Sequence, residues 1–329
     1  MENGISPAPS PPVNYLRLSL TDRCNLRCFY CTYWQDWEKL AAKEILRYEE
    51  LLRVAQIAAQ VGIRKIRLTG GEPLVRRGLA EFIRNLGEIK GIDEICLTTN
   101  GTLLARQAPA LYEAGLRRLN VSLDTLRPDR YRKITGRDDL LEVMEGLRVA
   151  SELGFHPVKI NCVVLKGINE DEVLDLTLLA VENHFQVRFI ELMPTASRRE
   201  WQRHYLPMGE VRRRLAVLGE FEELTPEATA GPARIYRVPG GSGEVGFISP
   251  ISAHHCGSCN RLRLTAQGRL RPCLLGNSEF DIKEALRRGC TDDMLASTFQ
   301  EAIRVKSFRA DPGAGTNPSW CRSMAAIGG

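Results

Sequence analysis

Over the first two thirds of the chain, short runs in which apolar and polar residues alternate are each followed by a longer amphipathic run. The short runs have the period of strands and the longer runs the period of helices. Six such pairs between residues 14 and 220 favour a parallel sheet covered by helices. We therefore predict an α/β fold, an incomplete (β/α)6 TIM-type barrel, with strands near 15–20, 65–69, 94–98, 116–123, 157–165 and 186–190 and helices near 48–61, 78–89, 103–114, 138–153, 170–183 and 208–218.

Some helix ends are marked by single residues. Asn169 stands where an N-cap is expected, with Glu172 three residues later, and the apolar face that follows includes Val173 and Leu174. Gly154 stands where a glycine ends the preceding helix. The pattern predicts that a helix begins directly after Asn169.

The pattern changes after residue 220. Glycine turns separate short runs that predict antiparallel strands, and two helical stretches follow. The chain is thus predicted to have three parts: a disordered leader over 1–13, the partial barrel over 14–220, and a mixed α+β extension over 221–329. The strands of the extension are expected near 234–238, 244–248, 261–265 and 269–272, and its helices near 281–288 and 291–306.

Composition narrows the functional classes. The 329 residues are 43% hydrophobic and 26% charged, as in ordinary globular proteins. A net charge of +5 without a basic stripe suits a small anionic substrate better than a nucleic acid. Residues 1–13 lack a secretory apolar segment, and no run has the ~18 apolar residues of a membrane span, so we expect a cytoplasmic protein without a membrane partner. In such a protein, ten cysteines favour metal ligands over disulfides.

A cysteine triplet follows the first predicted strand. Cys24, Cys28 and Cys31 have the spacing C-x3-C-x2-C, so three thiolates can converge on one metal centre. An iron–sulfur cube ordinarily takes four cysteines, and three would leave one iron open to a ligand. The alternative is a structural zinc site completed by a distant residue. The pattern indicates a metal centre, with an open position if it holds iron and sulfide.

The second predicted strand ends in Gly70-Gly71-Glu72-Pro73. The two glycines allow a close approach of the backbone to a ligand, although the same residues suit a plain turn. Loops at the C-terminal ends of neighbouring parallel strands share one mouth of a barrel. We therefore expect this loop and the cysteine loop to face each other.

A second triplet, Cys256, Cys259 and Cys273, lies in the extension with the spacing C-x2-C-x13-C. His254 and His255 directly precede it. On spacing alone, a Cys3His zinc site and an iron–sulfur site with an open iron are equally compatible with these residues.

Alternation with period two across residues 260–271 predicts a hairpin that assembles this second site. A three-residue loop over 266–268 would bring Cys259 within about two positions of the place opposite Cys273. The same pairing would put four guanidinium groups on one face, where they repel one another unless an anion such as phosphate lies near. These belong to Arg261, Arg263, Arg269 and Arg271, and a solvated strand face is the alternative for the last two.

Cys24-x3-Cys28-x2-Tyr30-Cys31 together with Gly70-Gly71-Glu72-Pro73 resembles the radical S-adenosylmethionine (SAM) superfamily. From residue 14 to 329 the chain is similar to the branch of that superfamily that cyclises GTP in the first step of molybdenum cofactor biosynthesis. The segments that carry this closer resemblance include 21–25, 98–101, 121–124, 158–161, 191–194, 246–250, 259–265 and the terminal Ile327-Gly328-Gly329.

The resemblance implies two [4Fe-4S] clusters, each held by one cysteine triplet. The first would cleave SAM to a 5′-deoxyadenosyl radical, which removes hydrogen from ribose C3′ of GTP. The sugar radical would attack guanine C8, and reduction with protonation would give 3′,8-cyclo-7,8-dihydroGTP. The open iron of the second cluster would bind the guanine.

The resemblance also assigns single residues, most of them expected at the mouth of the barrel. Arg17 and Lys159 have a second interpretation, because lone charges in apolar strands can form ion pairs that fill a barrel. Glu72, Asn100 and Asp124 are expected to support the site. The matching SAM-binding positions are Tyr30, Gly71, Ser122 and Met193, the GTP-binding positions are Arg17, Arg67, Thr98, Lys159, Arg261 and Arg263, and the catalytic tail is Gly328 and Gly329.

The implied partners are an electron donor such as flavodoxin or ferredoxin and cyclic pyranopterin monophosphate synthase, which takes up the product; a homodimer is compatible. Two other functions remain open. A radical enzyme that acts on a peptide would not need the arginine hairpin or the glycine tail, and a zinc-dependent nucleic-acid module would carry a stronger basic charge.

Overall fold

The computed structural model describes residues 12–31, 38–194, 198–226, 231–241, 243–253, 256–274, 276–307 and 324. These residues form one mixed sheet with helices packed against it. The strands are β1 (Tyr15–Ser19), β2 (Lys65–Thr69), β3 (Glu94–Thr99), β4 (Arg118–Ser122), β5 (Val158–Val164), β6 (Gln186–Glu191), β7 (Glu222–Glu223), β8 (Arg234–Arg237), β9 (Glu244–Ile248), β10 (Arg261–Leu264), β11 (Arg269–Arg271) and β12 (Phe280–Asp281). The helices are α1 (Tyr48–Gln60), α2 (Leu79–Gly87), α3 (Leu104–Glu113), α4 (Pro128–Thr135), α5 (Leu140–Glu152), α6 (Val173–Asn183), α7 (Arg198–His204), α8 (Met208–Leu215), α9 (Ile282–Arg287) and α10 (Asp292–Ser307).

All six strands of the predicted barrel are present and pair in chain order, each parallel to the next. The predicted helices are present too. The sequence pattern missed α4 and α7, because each has only seven or eight residues and too few apolar positions to show a period.

The prediction of only antiparallel strands in the extension was wrong for two of them. β10 pairs parallel with β1, and β9 pairs parallel with β6, so the extension adds one strand to each side of the six-stranded core. The remaining strands of the extension are antiparallel and lie outside these two. Across the described residues the sheet runs β12-β11-β10-β1-β2-β3-β4-β5-β6-β9-β8-β7 and is not closed into a barrel.

The predicted N-cap was also wrong. Glu172 occupies the N-cap position of α6, and Asn169 lies before the helix. The Asn169 side chain donates to the carbonyl oxygens of Asp124 (2.6 Å) and Val163 (3.0 Å) and accepts from Leu165 N. At this buried position the Asn169 side chain satisfies three backbone groups, which stabilises the fold more than a single hydrogen bond at a helix N-terminus would. Sequence spacing cannot show these partners. The predicted role of Gly154 is compatible with its φ of 84° just after α5.

Each core strand turns its apolar residues outward to the helices and its polar residues inward. In β1, Leu16 and Leu18 are fully buried in the helix-covered core, whereas Arg17 faces the interior. The other core strands repeat this alternation in register. The interior of the partial barrel is therefore a polar cavity, and the apolar core lies between the sheet and the helices.

Candidate active site

A cavity of about 1010 Å³ occupies the interior of the sheet. Every described residue that the sequence assigns to the site, fifteen counted over its metal, SAM and GTP groups, lines this one cavity. These residues are Cys24, Cys28, Cys31, Cys259, Cys273, Tyr30, Gly71, Ser122, Met193, Arg17, Arg67, Thr98, Lys159, Arg261 and Arg263. Gly328 and Gly329 lie outside the described residues, as does the side chain of Cys256.

The first cysteine loop leaves the C-terminal end of β1 and packs against the glycine loop that leaves β2, as predicted. Gly71 N donates to Thr21 O (2.6 Å), and Glu72 N donates to Arg23 O (2.7 Å). A Cβ at Gly71 would lie 2.3 Å from Arg23 O, so only glycine allows this contact. The glycine pair is needed for the close packing of the two loops and is more than a plain turn.

Backbone and amide groups point at a sulfur of this loop. Leu26 N lies 3.4 Å and Asn100 Nδ2 lies 3.8 Å from Cys24 Sγ. Burial raises the pKa of Cys24 to about 12 and that of Cys28 well above its usual range. Thiolates here need a bound cation, and N–H groups directed at sulfur are typical surroundings of a metal-bound cysteine. The residues present thus fit an iron–sulfur group.

The Glu72 carboxylate holds the loops after β2 and β3 together. It accepts hydrogen bonds from Leu74 N (3.0 Å), Thr99 Oγ1 (2.7 Å) and Asn100 N (2.6 Å). Burial raises its pKa to about 7 despite these bonds. The carboxylate therefore holds Asn100 in place through its backbone N–H. The Asn100 side chain in turn contacts Cys24.

Asp124 holds the aromatic residue of the cysteine loop. Its carboxylate accepts from Tyr30 Oη (2.6 Å) and from Val163 N (2.8 Å), and burial raises its pKa to about 6. The Tyr30 ring is thereby fixed at the cavity wall beside Cys28 and Cys31.

The middle of the cavity carries a wall of cations, more than the sequence analysis identified. Lys65 and Arg188 line it beside Arg67 and Lys159. Both could have been found by their parity, because each lies an even number of positions from another inward polar residue of its strand. Two amide oxygens on the same wall, Asn120 Oδ1 and Asn161 Oδ1, are buried and have no partner among the described residues.

Crowding of like charges changes the electrostatics of this wall. Burial, with Arg188, Arg67 and Lys65 nearby, lowers the pKa of Lys159 to about 7. Burial and Arg67 lower the pKa of Arg188 to about 10. Ion pairs do exist at the wall, since Lys65 Nζ lies 2.7 Å from Glu94 Oε1. Yet the excess of positive charge is large, and a polyanion bound here would relieve it.

The two cysteine sites lie at opposite ends of the cavity, which corrects the expectation that most site residues share one mouth. Cys24 follows the C-terminal end of β1. Cys259 precedes the N-terminal end of β10, which is parallel to β1, so it lies at the other end. The arginines and Lys159 occupy strand positions along the wall between them.

The predicted hairpin assembles the second site. Arg263 pairs with Arg271 across β10 and β11, which brings Cys273 to the level of Arg261. Burial would raise the pKa of Cys259, but Arg261 and Lys306 lower it to about 6. Cys259 is therefore a thiolate at neutral pH, the form that binds metals.

The four arginines of the hairpin divide into two pairs. Arg269 Nη1 lies 2.6 Å from Asp281 Oδ2, and Arg271 forms an ion pair with Glu279. The protein itself supplies their anions, so the expectation of a shared external anion was wrong for these two. Arg261 and Arg263, by contrast, line the cavity.

The segment 249–253 follows the C-terminal end of β9. Glu191, which the sequence analysis missed, anchors it. The buried carboxylate accepts from Ile251 N and Ser252 N (3.0 Å each) and from Met208 N (2.9 Å). Ile251 and Ser252 lie 60 and 61 positions from Glu191, so no local pattern in the sequence indicates these contacts.

Among the described residues, no three His, Cys, Asp or Glu side chains are close enough to share one metal ion. A polynuclear cluster places each cysteine on a different iron, so this spacing leaves such a cluster possible at the first site. Within the same ranges, the helices include none that could span a bilayer, by length and hydropathy.

Comparisons with known proteins agree with this architecture. Residues 18–180 match the radical SAM superfamily, and residues 185–312 match the family "Molybdenum Cofactor Synthesis C". The structure of SuiB from Streptococcus suis bound to S-adenosylmethionine has a TM-score of 0.61 at 16% identity and covers 88% of this chain and 68% of that chain, a likeness of fold.

Curated relatives cover nearly the whole chain. A GTP 3′,8-cyclase of Pelotomaculum thermopropionicum is 49% identical, and one of Moorella thermoacetica is 46% identical. Each alignment covers 96% of this chain and 98% of the relative. The chain therefore belongs to the GTP 3′,8-cyclase family of radical SAM proteins.

Proposed function

We propose that this protein is a radical SAM lyase that converts GTP to (8S)-3′,8-cyclo-7,8-dihydroguanosine 5′-triphosphate, the first step of molybdenum cofactor biosynthesis. One observation carries the proposal: a single cavity joins two cysteine sites at its opposite ends through a wall of cations. A nucleoside triphosphate has the charge to neutralise such a wall. The relatives named GTP 3′,8-cyclase support the same conclusion.

The first site would hold a [4Fe-4S] cluster on Cys24, Cys28 and Cys31, with SAM at the open iron. When bound, this pair supplies a 5′-deoxyadenosyl radical. Gly71, which lines the cavity beside the cysteine loop, would contact the methionine part through its backbone, and Tyr30, fixed by Asp124, offers an aromatic face. Ser122 and Met193 complete the proposed SAM contacts on the same wall.

The middle of the cavity would hold the GTP. Arg17 and Arg67 face inward at paired register positions of β1 and β2, Lys159 lines the same cavity from β5, and Arg67 Nη1 lies 3.3 Å from Thr98 Oγ1. Guanidinium groups bind phosphate oxygens in pairs, so they would set the register of the nucleotide along the cavity. This register decides which ribose carbon lies toward the SAM end.

The second site would hold another [4Fe-4S] cluster on Cys256, Cys259 and Cys273 and would bind the guanine, with Arg261 and Arg263 beside it. The sheet, whose strands line the cavity, would shield a reactive radical from water. An acidic redox protein such as flavodoxin or ferredoxin would supply electrons, and cyclic pyranopterin monophosphate synthase would take up the product.

The test is anaerobic reconstitution with iron and sulfide, followed by GTP, SAM and a reductant. We expect 5′-deoxyadenosine that depends on GTP, together with the cyclic nucleotide, both measured by liquid chromatography and mass spectrometry. ATP in place of GTP is the matched control and should give no cyclic product. Bound zinc without iron–sulfur absorption, or 5′-deoxyadenosine formation that does not depend on GTP, would contradict the proposal.

A further inference from the structure

Lys306 contacts both halves of the second cysteine site from outside it. This residue lies in the last turn of α10, and its Nζ is 3.2 Å from Cys259 Sγ. The same ammonium group donates to Pro272 O at 3.0 Å, directly before Cys273 in the chain. One cation thus joins the start of β10 to the exit of β11.

The position of this ammonium group has an energetic cost that its contacts must offset. Lys306 is partly buried, and its two contacts with described residues are a sulfur and a carbonyl oxygen. A lysine that stays solvated on the last helical turn keeps its side-chain conformational entropy and its hydration. Ordering and partly burying Lys306 reduces both, so strong hydrogen-bond acceptors are needed to offset the loss. A thiolate is such an acceptor, since charge-assisted hydrogen bonds are about twice as strong as neutral ones.

Lys306 differs from the other cation at this sulfur. Arg261 Nη2 lies 3.6 Å from Cys259 Sγ, but Arg261 is two residues away on the same strand and faces the cavity. Lys306 comes from a helix 47 positions along the chain. It therefore connects the C-terminal helix to the site without occupying the space of a ligand.

We propose that Lys306 is a positioning residue of the second cysteine site, which fixes Cys259 and the Cys273 segment relative to each other and raises the reduction potential of the iron–sulfur group bound there. This inference rests on the proposed function, because it needs a cluster at the second site. Hydrogen bonds to ligand sulfurs and nearby positive charge favour the reduced, more negative cluster. Removing the ammonium group should lower the potential.

The test compares Lys306→Met, Lys306→Gln and Lys306→Arg in the reconstituted enzyme by redox titration followed by electron paramagnetic resonance. We expect a lower potential for the second cluster in the Met and Gln variants and a value close to wild type in the Arg variant. The first cluster should be unchanged in all three. Lys283→Met is the matched control, because Lys283 Nζ contacts only a carbonyl oxygen of Glu44, at 3.4 Å, and no cysteine, among the described residues.

A second readout needs no cluster. In the metal-free protein, amide hydrogen exchange at residues 273 and 274, which follow Pro272, and at the end of α10 should be faster in Lys306→Met than in wild type or Lys306→Arg. Unchanged exchange and an unchanged potential in the Met variant would overturn the inference. Wild-type protein with one cluster would contradict the proposed second site, while the exchange experiment would still decide whether Lys306 positions the segment.

Discussion

The pKa values of ionisable residues in the cavity wall depend on burial and charged neighbours as well as on residue type. Lys159 illustrates this, because burial and three nearby cations bring its pKa to about 7 from an ordinary value near 10.4. The sequence identified it by resemblance, but the cluster of cations that perturbs it depends on strands far apart in the chain. Strand parity identifies Lys65 and Arg188 as inward-facing, but their closeness to Lys159 depends on the tertiary structure.

The perturbed lysine predicts a pH dependence of GTP binding. A bound triphosphate stabilises the charged form, so binding takes up a proton wherever the pH exceeds about 7, the pKa of free Lys159. Below that pH the lysine is already charged and the dependence disappears. We expect GTP binding to weaken by up to about tenfold for each pH unit above 7, measured by calorimetry on the reconstituted enzyme. Lys159→Met should bind more weakly and lose this slope, and a variant that kept the slope would contradict the assignment.

At the scale of elements, two loops and one hairpin were predictable because their signals are local. The cysteine loop and the glycine loop leave neighbouring strands, and the hairpin follows from alternation around a short turn. The parallel pairing of β9 and β10 with the core was not predictable, since strand direction in an added edge depends on distant partners.

The close packing at Gly71 predicts that alanine substitutions at Gly71 and Gly87 have different effects on stability. Gly71→Ala would put a Cβ 2.3 Å from Arg23 O, so the cysteine loop must shift. We expect a loss of about 1–3 kcal/mol in the free energy of unfolding of the metal-free protein, measured with denaturant, and lower iron retention after reconstitution. Gly87→Ala in α2 is the control, because its nearest atom, Ile95 Cδ1, is 4.0 Å away. Equal behaviour of the two variants would show that the close approach is unimportant.

For the molecule as a whole, one described residue beyond α10, Met324, lies at the first cysteine site. Met324 N donates to Cys31 O at 3.0 Å, and Met324 lines the cavity. Gly328 and Gly329 follow four and five positions later and lie outside the described residues, so their role stays a prediction. Two residues without side chains could enter the cationic cavity that Met324 lines.

Removal of Gly328 and Gly329 should therefore leave a folded protein with the iron content of wild type but with impaired formation of the cyclic nucleotide. Circular dichroism and iron analysis would establish the first part, and chromatography of the product the second. Removal of residues 2–11, which belong to the predicted leader over 1–13, is the control and should leave turnover unchanged. Normal turnover of the C-terminal truncation would exclude a role for the tail.

The sequence alone determined the six core strands, the longer helices, both cysteine triplets and the hairpin, because each depends on spacing within a few tens of residues. Only the tertiary structure decided that the described cysteines of both triplets line one cavity, that Arg269 and Arg271 have internal carboxylate partners, and that Lys306 reaches Cys259. These contacts join strands and helices across the fold, and their geometry is fixed by packing, which no local periodicity encodes.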